Sequence, residues 1–362
     1  MNLILSIVAA AAVTGVSSPK IPLVKGLTLY GAVSERQGDY ESYLTIDSID
    51  ADGSLHLLTE ADVPDPAGGK PTHVKVTRTV RAADLKDART FKYMYSSAGE
   101  EEYPGSTSVV ISAAVCADLR SKGEASVTIN GEVGGLADMV GGAFAMMQAA
   151  QGGQAPKGYL TAPGSVKLAE PKPVPFKVIV NNAVASLPVW HLKGRYGEGD
   201  QAADVEWRIL ADPANPLSLT TAFGKDGAET VRIEFPVENE AQALEQTLAE
   251  KKRAAVYGIY FDFNSAVIKP QSEKVLRTIV EVMKKDPAWI LTVEGHTDNV
   301  GGDARNQELS AARAAAVKAA LVERGVPADH LDTSGHGASM PKETNKTLAG
   351  RARNRRVELT RQ

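Results

Sequence analysis

The chain has one cysteine, Cys116, in 362 residues, so no internal disulfide forms and no thiol pair is available for a metal. Aromatic residues make up only 6%, too few for the paired girdles that flank the apolar band of a membrane-spanning β-barrel. Neither sign of charge is in excess. A net charge of −4 with 23% charged residues describes an ordinary soluble surface and lacks the basic excess that a nucleic-acid backbone demands. The six histidines are scattered, with no His-Glu-x-x-His pattern, and neither a Gly-x-Ser-x-Gly elbow nor a phosphate loop occurs. No catalysis, metal or cofactor is expected on these grounds. Long apolar runs are missing too: Leu3 to Val13 is too short to cross a bilayer. Followed by the small residues Thr14 to Ser18, it reads as an export signal over 1–20, although only Met1 and Asn2 precede it. No cysteine follows the run to carry a lipid.

What is present over 21–236 is period-two alternation in short runs. Leu27 to Tyr30, Tyr43 to Ile46, Ser54 to Leu58, His73 to Val76, Ser126 to Ile129, Phe176 to Val180, Val205 to Leu210 and Val231 to Phe235 all show it. Bounded by Gly, Pro and Asp-Gly, such runs predict strands, with a hairpin turn at Asp52-Gly53. One helix is expected among them, capped by Ser106-Thr107-Ser108, with Ile111, Val115 and Leu119 inward and Gly123 as its stop. Cys116 reads as a small buried apolar residue. The tract 134–158 is rich in Gly, Ala, Met and Gln, and its glycine pairs predict a loop with partial helix. The whole region is expected to be a soluble β-rich unit.

Residues 237–256 change character. Glu238, Glu240, Leu244, Glu245, Leu248, Lys251 and Lys252 are helix formers with acids ahead of bases, which predicts a helical linker. From Tyr257 the pattern becomes strand, helix, strand, helix, strand, strand. Ile259, Phe261 and Phe263 alternate; Val275, Leu276, Ile279, Val280 and Met283 make an apolar helical stripe after Pro270. Ile290 to Glu294 forms the next strand and leads into a Gly295 to Gly302 loop. A helix from Asp303 to Arg324 then turns Leu309, Ala312, Ala316, Val317, Ala320 and Leu321 inward. The last strands fall at Asp332 to Gly337 and Arg356 to Thr360. The fold class is therefore α+β: an N-terminal β-rich part and a C-terminal two-helix α/β sandwich with a mixed sheet, both helices on one face.

Within 257–362 the phrases Gly295-His296-Thr297-Asp298-Asn299-Val300-Gly301, then Asn306, Leu309-Ser310, Arg313-Ala314, Gly350-Arg351 and Asn354-Arg355-Arg356-Val357-Glu358 stand at a spacing that resembles the OmpA-like peptidoglycan-binding domain. The resemblance implies that Asp298 receives the α-ammonium, and Arg313 the α-carboxylate, of the diaminopimelate in a peptidoglycan stem peptide. The residue types suit those roles, because a carboxylate accepts from an ammonium and a guanidinium offers a two-pronged fork that lysine lacks. It further implies ligand contacts from Asn306, Arg355, Asn264 and Thr297. Singly, an Asp in a Gly-rich turn is a turn former and a helix Arg is a solvated side chain; together, at this spacing, they predict a site. His296 is read as a packing residue, not a metal ligand. The other arginines of the 351–356 run are read as structural pairs. The expectation is an exported, non-catalytic envelope protein of the periplasm, associated with outer membrane or cell wall, that binds the peptidoglycan stem peptide through its terminal domain and leaves its β-rich part for an envelope protein partner. Two alternatives stand beside it: a wall-docking stator-type module of a larger envelope assembly, and an enzyme hidden in the β-rich half. No nucleic-acid partner is expected.

Overall fold

The computed structural model describes residues 18–35, 38–65, 69–92, 99–131, 160–197, 202–223, 226–262 and 264–362. The expected export signal falls almost wholly outside these residues, as do the tract 134–158 and Phe263. Alternation puts one face of each strand into the core. It is realised first in β1 (Thr28–Glu35), β2 (Gly38–Ile49), β3 (Leu55–Val63) and β4 (Thr72–Val80). In β3, Leu55, Leu57, Thr59 and Ala61 are buried and the residues between them are half-buried. The β2–β3 connection turns at Asp52-Gly53 as predicted: Gly53 takes φ +93°, and the Asp52 carboxylate accepts the Ser54 N–H at 2.9 Å.

A short helix α1 (Ala82–Asp87), strands β5 (Thr90–Lys92), β6 (Gly99–Glu102) and β7 (Ser106–Thr107), then α2 (Ala113–Lys122) and β8 (Glu124–Gly131) follow. The cap of α2 is Ser112, whose hydroxyl accepts the Val115 N–H at 3.3 Å, and not the Ser106 to Ser108 run, part of which forms β7. Ile111, Val115 and Leu119 are buried, and Gly123 ends the helix at φ +73°. Strands β9 (Leu160–Leu168), β10 (Val174–Val180), β11 (Ala183–Tyr196), β12 (Ala203–Leu210), β13 (Ser218–Phe223) and β14 (Asp226–Glu234) complete a 14-stranded sheet. In it β10 pairs antiparallel with β11 and parallel with β14, so β10 to β14 close into a ring. One core runs from that ring to β1–β3, through Leu29, Ile46, Leu57, Val178, Leu187 and Ile233. A second, around Trp207, is covered by α2.

The terminal unit comprises α3 (Glu240–Lys251), β15 (Arg253–Val256), α4 (Glu273–Lys285), β16 (Leu291–His296), α5 (Asp303–Glu323), β17 (Leu331–Gly335), α6 (Leu348–Asn354) and β18 (Arg356–Arg361). Its four-stranded sheet has the order β15-β18-β16-β17, with β16 parallel to β17 and antiparallel to β18, a mixed sheet as expected. Leu276, Ile279 and Met283 of α4 and Val317 and Leu321 of α5 pack with Leu291, Val293, Val357 and Leu359 of the strands. Each such side chain contributes about 2 kcal/mol by leaving water.

Three local expectations differ from what is observed. The linker over 237–256 is not a free connector: Leu248 of α3 is fully buried in the terminal core, and β15 is an edge strand of the terminal sheet. The described part of the expected strand, 257–262, is correspondingly not a regular strand, because its backbone N–H groups go elsewhere. Tyr257 donates to the Asn182 side chain at 3.0 Å and Tyr260 to the Ser272 hydroxyl at 2.8 Å. Along α5 the buried stripe is Asn306, Ser310, Ala314, Val317 and Leu321, while Ala312 is exposed. The first half of that stripe is polar because it faces backbone and a turn, not aliphatic side chains.

The β-rich and terminal parts meet in a dense contact. Arg232 of β14, 7% exposed, donates to the Tyr257 carbonyl and the Tyr260 hydroxyl and pairs with Glu234 at 3.1 Å. Its guanidinium lies 3.7 Å from the Tyr30 ring centre and 4.8 Å from that of Tyr260, beside the two rings, which stack on each other at 5.3 Å. Tyr43 meets both rings edge-on at 5.4 Å. Around this cluster Asp62 pairs with Lys269, Lys177 with Glu343, and Arg353 donates to the Lys177 carbonyl at 2.8 Å.

Candidate ligand-binding site

Two glycines bring the predicted site residues together. A Cβ on Gly295 would lie 2.1 Å from the Ser310 carbonyl oxygen, and one on Gly335 would lie 2.5 Å from the Ala311 nitrogen. Only glycine lets the backbones of β16 and β17 press this closely on α5. That contact seats the helical turn bearing Arg313 beside the loop that leaves β16. Ser310, fully buried, ties the loops together, accepting the Gly337 N–H at 2.8 Å and donating to the Gln307 carbonyl at 2.9 Å.

Asp298 sits two residues past β16, its side chain 10% exposed. One carboxylate oxygen accepts the Val300 N–H at 2.9 Å, an Asx turn, and the other accepts from Arg355 at 2.6 Å. Gly301 and Gly302 follow at φ +96° and +86°, a backbone that side chains resist, and launch α5. Asn306 is buried and donates to the Asp298 carbonyl at 3.1 Å. Its amide holds the loop in shape.

Arg313 reaches back from α5. Its Nε donates to the Ser265 carbonyl at 2.9 Å, and its guanidinium lies 4.8 Å from the Phe261 ring centre. Among the described residues its two terminal nitrogens have no hydrogen-bond partner, so the fork is open. Burial, then the like charge of Arg355, lower its pKa to about 10, while Asp298 and Glu41 pull the other way. The group remains a cation at neutral pH. Those mutual influences place Arg313, Arg355 and Asp298 within one electrostatic neighbourhood. Arg355, at the end of α6, is gripped from both sides: burial lowers its pKa, but Glu41 and Asp298 more than offset this and raise it. The Glu41 carboxyl responds in kind, since burial raises it yet the Arg355 guanidinium holds it below the usual carboxylate range.

The other expected residues fall around this core. Thr297 is buried; its N–H bonds the Gly337 carbonyl at 2.9 Å and its hydroxyl has no partner among the described residues. Asn264, exposed and at φ +53°, accepts from Arg305 at 3.2 Å on the rim. Asn354 is fully buried and satisfies the N–H groups of Lys342 and Glu343 at 2.8 and 2.9 Å. Arg356 pairs with Glu358 at 2.6 Å, both nearly inaccessible. Glu41 was not visible from sequence, since a single acid in a strand carries no signal.

Behind the loop, Glu294, His296 and His336 bring potential ligand atoms within 4.8 Å of one another. The surrounding charge opposes a cation there: Glu294 is paired with Arg253 and accepts from Thr360 at 2.8 Å, and Arg356 adds a second positive charge. Burial, then Arg356, push the His296 imidazole down to about 3. A neutral ring stacked 5.0 Å from His336 is what remains, a packing arrangement.

Comparison with known proteins bears on this site. The OmpA family profile matches residues 260–355. Outer membrane porin F of Pseudomonas fluorescens is 45% identical over 102 residues, 28% of this chain and 31% of that protein. The probable lipoprotein YiaD of Escherichia coli K12 is 40% identical over 102 residues, 28% of this chain and 47% of its own length. Peptidoglycan-binding protein ArfA of Mycobacterium bovis is 41% identical over 101 residues, covering 28% and 31% of the two chains. The chain thus spans about a third to a half of these relatives. Among the described residues no helix is long and apolar enough to cross a membrane. With the mixed sheet and its helices in place around the matched segment, residues 260–355 are a domain of the OmpA family.

Proposed function

We propose that this chain is a non-catalytic cell-envelope protein that binds peptidoglycan noncovalently, through the free amine and carboxylate on one carbon of diaminopimelate. The single observation that carries this reading is the open fork of Arg313 beside the Asp298 carboxylate. An acid and an unpaired guanidinium at one lip suit a zwitterion, and the guanidinium is partly desolvated, which strengthens a carboxylate contact. Arg355 steadies the Asp298 carboxylate at 2.6 Å, the buried Thr297 hydroxyl lies just behind it, and Asn264 stands on the rim. Asn306 keeps the loop that presents Asp298. The naming of ArfA as peptidoglycan-binding supports the ligand class, and the envelope names of porin F and YiaD support a periplasmic location at the outer membrane or wall.

The test is co-sedimentation of the full chain with purified diaminopimelate-type sacculi. Arg313→Ala is expected to lose binding at least about tenfold, the cost of a bidentate charged contact, with the fold retained and the unfolding temperature lowered only by the loss of the Ser265 hydrogen bond and the Phe261 contact. Undiminished co-sedimentation of Arg313→Ala would defeat the proposal.

A further inference from the structure

The edge of Arg355 nearest the β-rich part is already occupied. Glu41 of β2 takes hydrogen bonds from Nε at 3.0 Å and from one terminal nitrogen, while Asp298 takes the other terminal nitrogen. One Glu41 oxygen thus accepts from both nitrogens on one edge of the guanidinium, an edge that a ligand carboxylate would otherwise use. The contact is built into the domain junction. Glu41 and Tyr43 are two residues apart on β2 and so share a face. Tyr43 on that face packs edge-on against Tyr260 of the terminal part, beneath which Arg232 is buried. The register of β2 is fixed on both sides, Glu41 standing opposite Ala32 of β1. Arg313, by contrast, keeps its fork open.

We propose that Glu41 sets the affinity of the ligand site from outside the terminal domain, by occupying Arg355 as an internal stand-in for the ligand carboxylate. The inference rests on the zwitterion-binding reading given above. With the two parts docked, an incoming carboxylate finds one free guanidinium, Arg313, and meets the like charge of Glu41 nearby. Neutralising Glu41 frees Arg355 to face the ligand as a second cation. Because the Arg355 and Glu41 side chains are 29% and 36% exposed, solvent screens the competition. The expected gain on removing it is about fivefold in affinity.

The experiment is calorimetric titration of the full chain with a diaminopimelate-containing stem tripeptide, in the wild type, Glu41→Gln, Arg355→Met, the Glu41→Gln/Arg355→Met pair and Arg313→Ala. The expected result is tighter binding by Glu41→Gln, a gain that vanishes in the Arg355→Met background, and loss in Arg313→Ala. If the wild type binds, Arg313→Ala does not, and Glu41→Gln is unchanged or weaker, the inference is overturned alone. A weaker Glu41→Gln would make Glu41 a direct ligand contact instead. If neither the wild type nor Glu41→Gln binds, or Arg313→Ala binds normally, the zwitterion reading fails and takes the inference with it.

Discussion

The terminal domain and the β-rich part are stabilised by the same means, apolar side chains alternating into a core, yet they expose their chemistry differently. In the terminal domain the polar residues are pinned to backbone: Asp298 to the Val300 N–H, Ser310 to Gly337, Asn354 to Lys342 and Glu343. Such residues recur at fixed spacing because the backbone they satisfy is fixed. In the β-rich part the consequential residues, Glu41 and Arg232, lie in ordinary strands and act on groups of the other domain. Motif spacing therefore identifies one half of the molecule and is silent about the other.

The sharpest way to break this comparison is to cut the junction. Arg232→Ala leaves Glu234 without its buried cation and removes the donors to the Tyr257 carbonyl and the Tyr260 hydroxyl, and is expected to cost about 3 kcal/mol. Thermal unfolding should then separate into two transitions; an unchanged single transition would show that Arg232 contributes nothing to joining the parts.

A smaller effect distinguishes the halves by pH. His296, held neutral by burial and by Arg356 with a pKa of about 3, faces Glu294, His336, Arg253 and Glu358 as well. Its folded pKa is depressed below the ordinary value of 6.5, so between pH 6.5 and 3 the unfolded chain binds the proton and the folded chain does not. Stability therefore falls as pH falls through that window, by about 2 kcal/mol between pH 6.5 and 5. His296→Phe should flatten this slope for the terminal domain. An identical slope in wild type and variant, measured by denaturant unfolding at each pH, would contradict the assignment.

Much of the fold was legible. The eight alternating runs named from sequence all fall on strands, and the Asp52-Gly53 turn and the Gly123 stop are where the chemistry requires them. Strand β11 was not legible, because Pro188 and Gly194 interrupt its pattern; Pro188 stands opposite Pro175 of β10, so neither proline breaks a ladder hydrogen bond that its partner needs. The edge strand β15 was hidden inside a run of helix formers, where its four residues, Arg253 to Val256, are too short to show a period. At the site, Asp298, Arg313 and Arg355 were found by spacing and the structure gathers them. For Asn306, expected to contact the ligand, the structure adds a role that spacing does not show: its amide donates to the Asp298 carbonyl. Spacing records that a polar residue is required; packing shows which backbone it holds.

The most direct test of the central claim is a crystal structure of the full chain with meso-diaminopimelate. The account predicts the ligand carboxylate on the terminal nitrogens of Arg313 and its ammonium on the Asp298 carboxylate, both within ordinary hydrogen-bond reach. A ligand bound elsewhere, with the Arg313 fork still empty at saturating concentration, would contradict it.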